Sequence, residues 1–258
     1  MTTTIETVVD DIRRLAEVEG VPLLGFCAAS KMANESPGYT PEDLLPGARG
    51  LVSLAVPVPH AVYRTPKNAP EMICRAQSLC YRRLDELSVR IAALLEERGE
   101  RAIPVFGCSP MQINKKGDIA GYLNHIRMGE LAGIGVRGRN GILVNSRYGA
   151  RLMLGGVVTT APLPEIRYPD IDEPGCPPGC RICADVCPVR AIDPTGERVK
   201  IMRCLNHTSR TALMSKSRFV MLRAIRPRSA ARLMNLTSLD EHTLHVCSKC
   251  VALCPYGD

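Results

Sequence analysis

Eight cysteines crowd the last third of this chain: Cys176, Cys180, Cys183 and Cys187 in one run, Cys204 alone, then Cys247, Cys250 and Cys254 in a second run. Pro188 follows the fourth of them and Pro255 the eighth. A cubane of four irons and four sulfides needs four thiolates arranged tetrahedrally around it, and two intervening residues let neighbouring cysteines reach adjacent irons from one tight loop. Eight thiolates are the complement of two such clusters. Clusters of this kind move single electrons, so the residues point to an electron carrier or a reductase. A zinc ribbon would use four ligands in two C-x2-C pairs and leave half of these thiols idle. A disulfide framework suits small secreted domains, whereas this is a 258-residue chain whose first residues read as an amphipathic helix and not as a signal peptide.

The C-x2-C-x3-C-P rhythm occurs at Cys180–Pro188 and again at Cys247–Pro255, and it resembles that of the bacterial two-cluster ferredoxins. There the fourth cysteine of a run ligates the other cluster. The pattern implies Cys176, Cys180, Cys183 and Cys254 around one 4Fe-4S cluster, and Cys187, Cys204, Cys247 and Cys250 around the second. One departure stands out: Pro177-Pro178-Gly179 puts three residues between Cys176 and Cys180 where the usual run has two.

The elements that must carry these residues follow from periodicity. Thr3 and Glu6 make a capping-box pattern ahead of Ile5, Val8, Val9, Ile12, Leu15 and Val18, which have helical spacing. Leu23–Ala28 and Leu51–Val58 read as buried strands with a turn-rich loop between them. A long helix is expected over residues 70–98, a strand at Ile103–Phe106, a helix over Ile119–Leu131, and strands at Ile142–Asn145 and Leu152–Thr160, the last apolar enough to lie centrally. Six prolines between Pro162 and Pro178 mark a linker. The expected organisation is an α/β (α+β) domain over 1–163 and a cluster module over 164–258. Cys108, just after a strand, is a candidate reactive residue because strand ends in α/β folds open onto ligand crevices. No apolar run of about 18 residues exists to span a membrane. An unexported chain with oxygen-sensitive clusters points to the cytoplasm.

The net charge of +7 is unevenly spread. Residues 198–239 hold ten bases and no acid, which leaves 23 bases against 26 acids elsewhere. A one-signed patch steers association, so this basic insertion is expected either to offset reduced clusters or to dock an acidic electron donor such as ferredoxin or flavodoxin. Nucleic acid is expected to be the less favoured partner, because Phe219 is the only aromatic residue there for base stacking.

The segment Ala132-Gly133-Ile134-Gly135-Val136-Arg137-Gly138-Arg139-Asn140-Gly141 is dense in glycine, which admits close backbone approach to a flat ligand. It formally contains G-x-G-x-x-G but follows a helix, so the dinucleotide reading fails its context. It leads into Tyr148-Gly149-Ala150-Arg151 and then Thr159-Thr160-Ala161-Pro162-Leu163. With the cysteine runs downstream, and with Pro41 to Arg49 upstream, these elements resemble the corrinoid-dependent iron–sulfur reductases, namely the reductive dehalogenases and epoxyqueuosine reductases. The resemblance implies a nitroreductase-like three-layer α/β/α domain, followed by a bacterial ferredoxin-like two-cluster module. It also implies cobalamin beside Gly133, Gly135, Gly138, Arg139, Asn140, Gly141, Tyr148 and Arg151. The implied activity is reduction of a small-molecule substrate, with an electron-carrier role and tRNA modification as the other readings. The chain departs from the group where an acidic proton donor precedes a proline, reading Cys108-Ser109-Pro110 instead. Tyr122, Lys115 and Cys108 are the candidate proton donors, with Lys116 and His125 beside them.

Overall fold

The computed structural model describes residues 5–36, 38–65, 69–107, 112–113, 119–166, 175–211, 243–245 and 247–256. The N-terminal helix α1 (Ile5–Val18) turns Val8, Val9, Ile12 and Ala16 inward. Strand β1 (Leu23–Ala28) runs into a 3-10 turn at Ala29–Met32. A short helix α2 (Pro41–Leu44) then interrupts the expected loop. It forms because Thr40 accepts the Asp43 N–H while the Asp43 carboxylate takes the Thr40 N–H, a capping box with proline already set in the first turn. Strand β2 (Gly50–Pro57), a 3-10 turn at His60–Arg64, helix α3 (Ala69–Glu96) and strand β3 (Ala102–Val105) follow.

Strand β8 (Leu152–Thr159), the last in the main sheet, enters its middle, giving the order β1-β2-β8-β3 with every pairing antiparallel. Its sequence, Leu-Met-Leu-Gly-Gly-Val-Val-Thr, has the unbroken apolar run of a strand covered on both faces. Pro104 sits on the edge strand β3, where its missing N–H costs no ladder bond inside the sheet.

Two apolar layers sandwich this sheet. On one face Leu84, Leu87, Ile91 and Leu95 of α3 pack with α1 against Val52, Leu54 and Val157. On the other, Met128 and Ala132 of helix α4 (His125–Leu131) pack against Leu51, Ala55 and Val158. Ion pairs Asp11–Arg98 and Glu19–Arg90 tie the outer helices together.

Two expected elements differ. The helix expected over Ile119–Leu131 is confined to α4, because Asn124 caps it by accepting the Arg127 N–H. Upstream, β5 (Ile119–Ala120) pairs instead with β4 (Gln112–Ile113). The strand expected at Ile142–Asn145 shrinks to β7 (Leu143–Val144), which forms a small hairpin with β6 (Val136–Arg137) outside the main sheet. Beyond residue 175 lie the short helices α5 (Ile182–Asp185) and α6 (Ile201–Thr208). The two-stranded ribbon of β9 (Ser209–Thr211) and β10 (Thr243–His245) comes next, then helix α7 (Lys249–Ala252). No described helix is long and apolar enough to cross a membrane.

Close approach between layers depends on missing side chains. A Cβ at Gly25 of β1 would stand 2.3 Å from the Ala132 carbonyl oxygen, and one at Gly156 of β8 would stand 2.3 Å from the Val52 carbonyl oxygen. In both cases the obstacle is backbone, which cannot swing aside. Gly25→Ala should therefore destabilise the protein by about 1–3 kcal/mol, read as a lowered midpoint in urea denaturation. An unchanged midpoint would mean that α4 sits farther from the sheet than described.

Candidate functional site

None of the eight thiols is in a disulfide, and seven of them are half-buried while Cys183 is buried. Their mutual influence sorts them. Burial raises the Cys183 thiol above its ordinary value, and the neighbouring Cys176, Cys180 and Cys254 raise it further. Cys204 is raised by burial and then by Cys247 and Cys187. Cys250 is pushed up to about 12, chiefly by burial, then by Cys204 and Cys247, with Cys183 and Cys187 adding to it. Cys183 is thus within electrostatic reach of Cys176, Cys180 and Cys254, and Cys250 within reach of Cys204, Cys247, Cys183 and Cys187.

Local structure explains the gathering. The one-turn helices α5 and α7 each start at a residue just before the middle cysteine of a run and stop short of the last, so each run wraps around a single turn. The donor set fits a polynuclear cluster. Eight thiolates are the complement of two four-iron cubanes, and a single zinc would use four of them. Backbone N–H groups also aim at sulfur: Ala191 donates to Cys187 Sγ at 3.2 Å and Arg139 to Cys176 Sγ at 3.4 Å. Hydrogen bonds of this kind are among the features that set a cluster's potential.

The Arg139 bond joins the two candidate sites. Arg139 lies at the tip of the β6–β7 hairpin, and its guanidinium donates to the carbonyls of Thr195 at 3.0 Å and Pro194 at 3.4 Å. The glycine-rich hairpin is therefore seated on the cysteine module. Its glycines have reasons inside the fold. Gly133, at φ +74°, closes α4 by donating to the Glu130 carbonyl, while Ile134 donates to that of Gly129. A Cβ at Gly135 would stand 2.4 Å from the Val144 carbonyl oxygen, one at Gly138 would meet Asn140 Oδ1 at 2.8 Å, and one at Gly141 would meet Val199 at 2.8 Å. Packing accounts for these glycines, so their density is no longer itself an argument for a flat ligand.

The other expected cofactor residues lie close by. Asn140 is buried and its Oδ1 accepts the Ile142 N–H. Tyr148 is half-buried under the guanidinium of Arg147, 5.2 Å from its ring centre. Arg151 donates to the Val58 carbonyl at 2.9 Å.

Of the proton-donor candidates, Cys108, Lys115 and Lys116 lie outside the described residues. Tyr122 is exposed in the turn before α4. His125 sits on α4 with its Nε2 at 3.1 Å from the Phe106 carbonyl, and desolvation lowers its pKa to about 4. At neutral pH such an imidazole has no acidic proton to hand on.

Sequence reasoning missed two residues. Tyr63 is buried, accepts from Gln77 Nε2 at 3.1 Å, and feels both Arg151 and Cys250, so it stands between the hairpin side and the second set of thiols. Asp85 was hidden as one acid in a long helix, although burial raises its pKa to about 6.

With this geometry in place, the comparisons with known proteins become informative. The chain is 29% identical over 137 residues to the epoxyqueuosine reductase of Lactococcus garvieae, covering 53% of this chain and 33% of that protein. It is 25% identical over 224 residues to that of Bacillus cereus, covering 74% and 54%. The chain resembles the epoxyqueuosine reductases. No family model matches it. A solved epoxyqueuosine reductase in complex with an epoxyqueuosine-modified tRNA stem loop superposes with a TM-score of 0.61 at 18% identity, over 98% of this chain and 66% of that one. A B12-dependent reductive dehalogenase superposes with a TM-score of 0.60 at 17% identity, over 92% and 36%. The fold is thus the mixed α/β fold of this group, and the named relatives are oxidoreductases. The chain spans about a third to a half of the length of these curated relatives.

One expectation is overturned. Nucleic acid was ranked below a protein donor for want of stacking aromatics, yet the similar reductase structure holds a tRNA stem loop. The ranking gave stacking too much weight. Phosphate contacts dominate nucleic-acid affinity and need basic side chains, not aromatic ones.

The His125 environment carries a pH consequence. Its folded pKa of about 4 lies below the ordinary 6.5. Below about pH 6.5 the unfolded chain binds a proton that the folded chain refuses, so stability present at pH 7 is lost as pH falls toward 4. His125→Gln should flatten that part of a pH series of melting temperatures. A slope equal to wild type would mean that the imidazole is solvated.

Proposed function

We propose that this chain is an iron–sulfur reductase that uses a corrinoid to reduce a modified nucleoside carried in tRNA, in the manner its epoxyqueuosine reductase relatives are named for. The observation that carries the reading is the hydrogen bond from the Arg139 N–H to Cys176 Sγ. That contact between the glycine-rich hairpin and a thiol supports a short path from a cluster to a cofactor bound at the hairpin. The tRNA reading is favoured over a small substrate because the relatives that match in sequence carry that name, and because one similar structure holds a tRNA stem loop.

On this reading residues 1–163 are the nitroreductase-like cofactor domain and 164–258 the ferredoxin-like module. Cys176, Cys180, Cys183 and Cys254 hold one 4Fe-4S cluster, and Cys187, Cys204, Cys247 and Cys250 hold the other. When bound, the clusters would supply electrons one at a time and the corrinoid a low-valent metal centre for reductive cleavage. The chain's own residues seat, orient and protonate. Arg139 locks the hairpin to the cysteine module through its guanidinium and its backbone N–H together. Asn140 and Gly141 shape the hairpin turn, and Tyr148 and Arg151 present an aromatic face and a cation on the adjoining strand connection. Reducing an epoxide to an alkene takes two electrons and two protons and releases water. Of the donor candidates Tyr122, Lys115 and Cys108, Tyr122 is the one among the described residues, and it is exposed where a substrate can reach it.

Iron and sulfide analysis of anaerobically reconstituted protein should give about eight of each per chain, because each cubane takes four cysteines. Cys183→Ala and Cys250→Ala should each lower that figure, since these two thiols lie in different sets. A wild-type value near zero would overturn the cluster reading.

The activity has its own test. Reconstituted protein, given cobalamin and a strong reductant, should convert epoxyqueuosine-containing tRNA to product lacking one oxygen, read by nucleoside mass spectrometry. Tyr122→Phe should slow conversion without loss of iron. No conversion, with both clusters and cobalamin demonstrably bound, would sink the tRNA reading.

A further inference from the structure

The end of β3 is held in an unusual way. Val105 is the last residue of β3 with a ladder partner, opposite Gly156, and β3 is an edge strand. A strand end in that position ordinarily frays. Here the next two residues are gripped from opposite faces of the sheet. From the α4 side, His125 Nε2 meets the Phe106 carbonyl at 3.1 Å. From the α3 side, the Asp85 carboxylate accepts the N–H of Gly107.

Neither grip is what folding alone would favour. Asp85 Oδ1 and His125 Nδ1 are both buried without a hydrogen-bond partner, and a buried polar atom left unpaired costs stability. Gly107 is pinned as well: a Cβ there would stand 1.7 Å from the Leu154 carbonyl oxygen and 2.7 Å from the Tyr81 ring. The peptide between Phe106 and Gly107 thus has its carbonyl, its N–H and its Cα fixed by three separate elements. Unsatisfied buried polar groups gathered about one peptide mark a place where position matters more than stability.

We propose that Asp85 and His125 are positioning residues that clamp the exit of β3, and so set where the chain from Cys108 onward begins. Cys108, one of the candidate proton donors, is the next residue in the chain. The link to turnover rests on the proposed reductase function; the clamp itself does not.

Hydrogen–deuterium exchange of the full reconstituted chain tests the clamp directly. Asp85→Ala should speed exchange of the Gly107 amide by on the order of tenfold or more, because it loses a charge-assisted bond at a strand end. Peptides from α1 and β8 should keep wild-type exchange. Asp85→Asn retains a carbonyl acceptor and should restore protection. If Asp85→Ala fails to fold, His125→Ala tests the opposite grip by the same readout, with His125→Gln as its rescue. In turnover, the Ala variants should lower kcat with KM unchanged, and the Asn and Gln variants should recover it. Unchanged Gly107 exchange in the Ala variants would overturn the clamp, as would Asn behaving like Ala. Faster exchange with kcat intact in an active enzyme would overturn the positioning role. A wild-type chain without turnover on tRNA would count against the proposed function alone, since the exchange result stands apart from it.

Discussion

Backbone packed directly on backbone is the constraint from which the rest follows. Where α4 meets β1 at Gly25 and Ala132, where β8 meets β2 at Gly156, and where the turn after α4 meets β7 at Gly135, a single methyl group would collide with a carbonyl oxygen. These contacts draw α4 down onto the sheet, and α4 ends in the turn that launches the β6–β7 hairpin. The hairpin's reach is therefore set by how deeply α4 is seated. At the hairpin tip, Arg139 touches both Cys176 and the Pro194–Thr195 carbonyls. A chain of van der Waals limits in the core thus fixes a polar junction some distance away.

How much of this the sequence disclosed depends on the kind of signal. The long helix α3 and the central strand β8 were legible because both are long and strongly patterned, one at a period near 3.6 and the other as a continuous apolar run. Cysteine spacing is itself a geometric statement, which is why the two ligand sets can be proposed from the sequence. Helix α2 escaped notice although its Thr40-Pro41-Glu42-Asp43 start is a readable capping signal, since four residues offer no periodicity. The helix expected over Ile119–Leu131 was drawn too long, because the Asn124 cap and Gly121 were given less weight than the apolar spacing. Asp85 was out of reach: nothing in a helical pattern shows that one of its acids points at a strand end.

The charge reasoning failed in an instructive way. Counting aromatic residues measured one mode of nucleic-acid recognition, stacking of unpaired bases, and left out the mode that needs only cations and a backbone to track. The finding that overturns the ranking is a reductase of similar fold that holds a tRNA stem loop.

Strand β1 lies at the rim of the sheet, and its outer side is not left bare. Phe26 and Ile166 exchange backbone hydrogen bonds, N–H to O at 2.9 Å one way and 3.2 Å the other, so the chain on its way into the cysteine module doubles as a fifth rung beside the first strand. An uncovered rim is a template for pairing with other chains. The segment at Ile166 therefore shields that rim. A chain cut at residue 163 would keep every residue of the four-stranded sheet and still present a sticky margin, so a short stretch outside the sheet guards it without belonging to it.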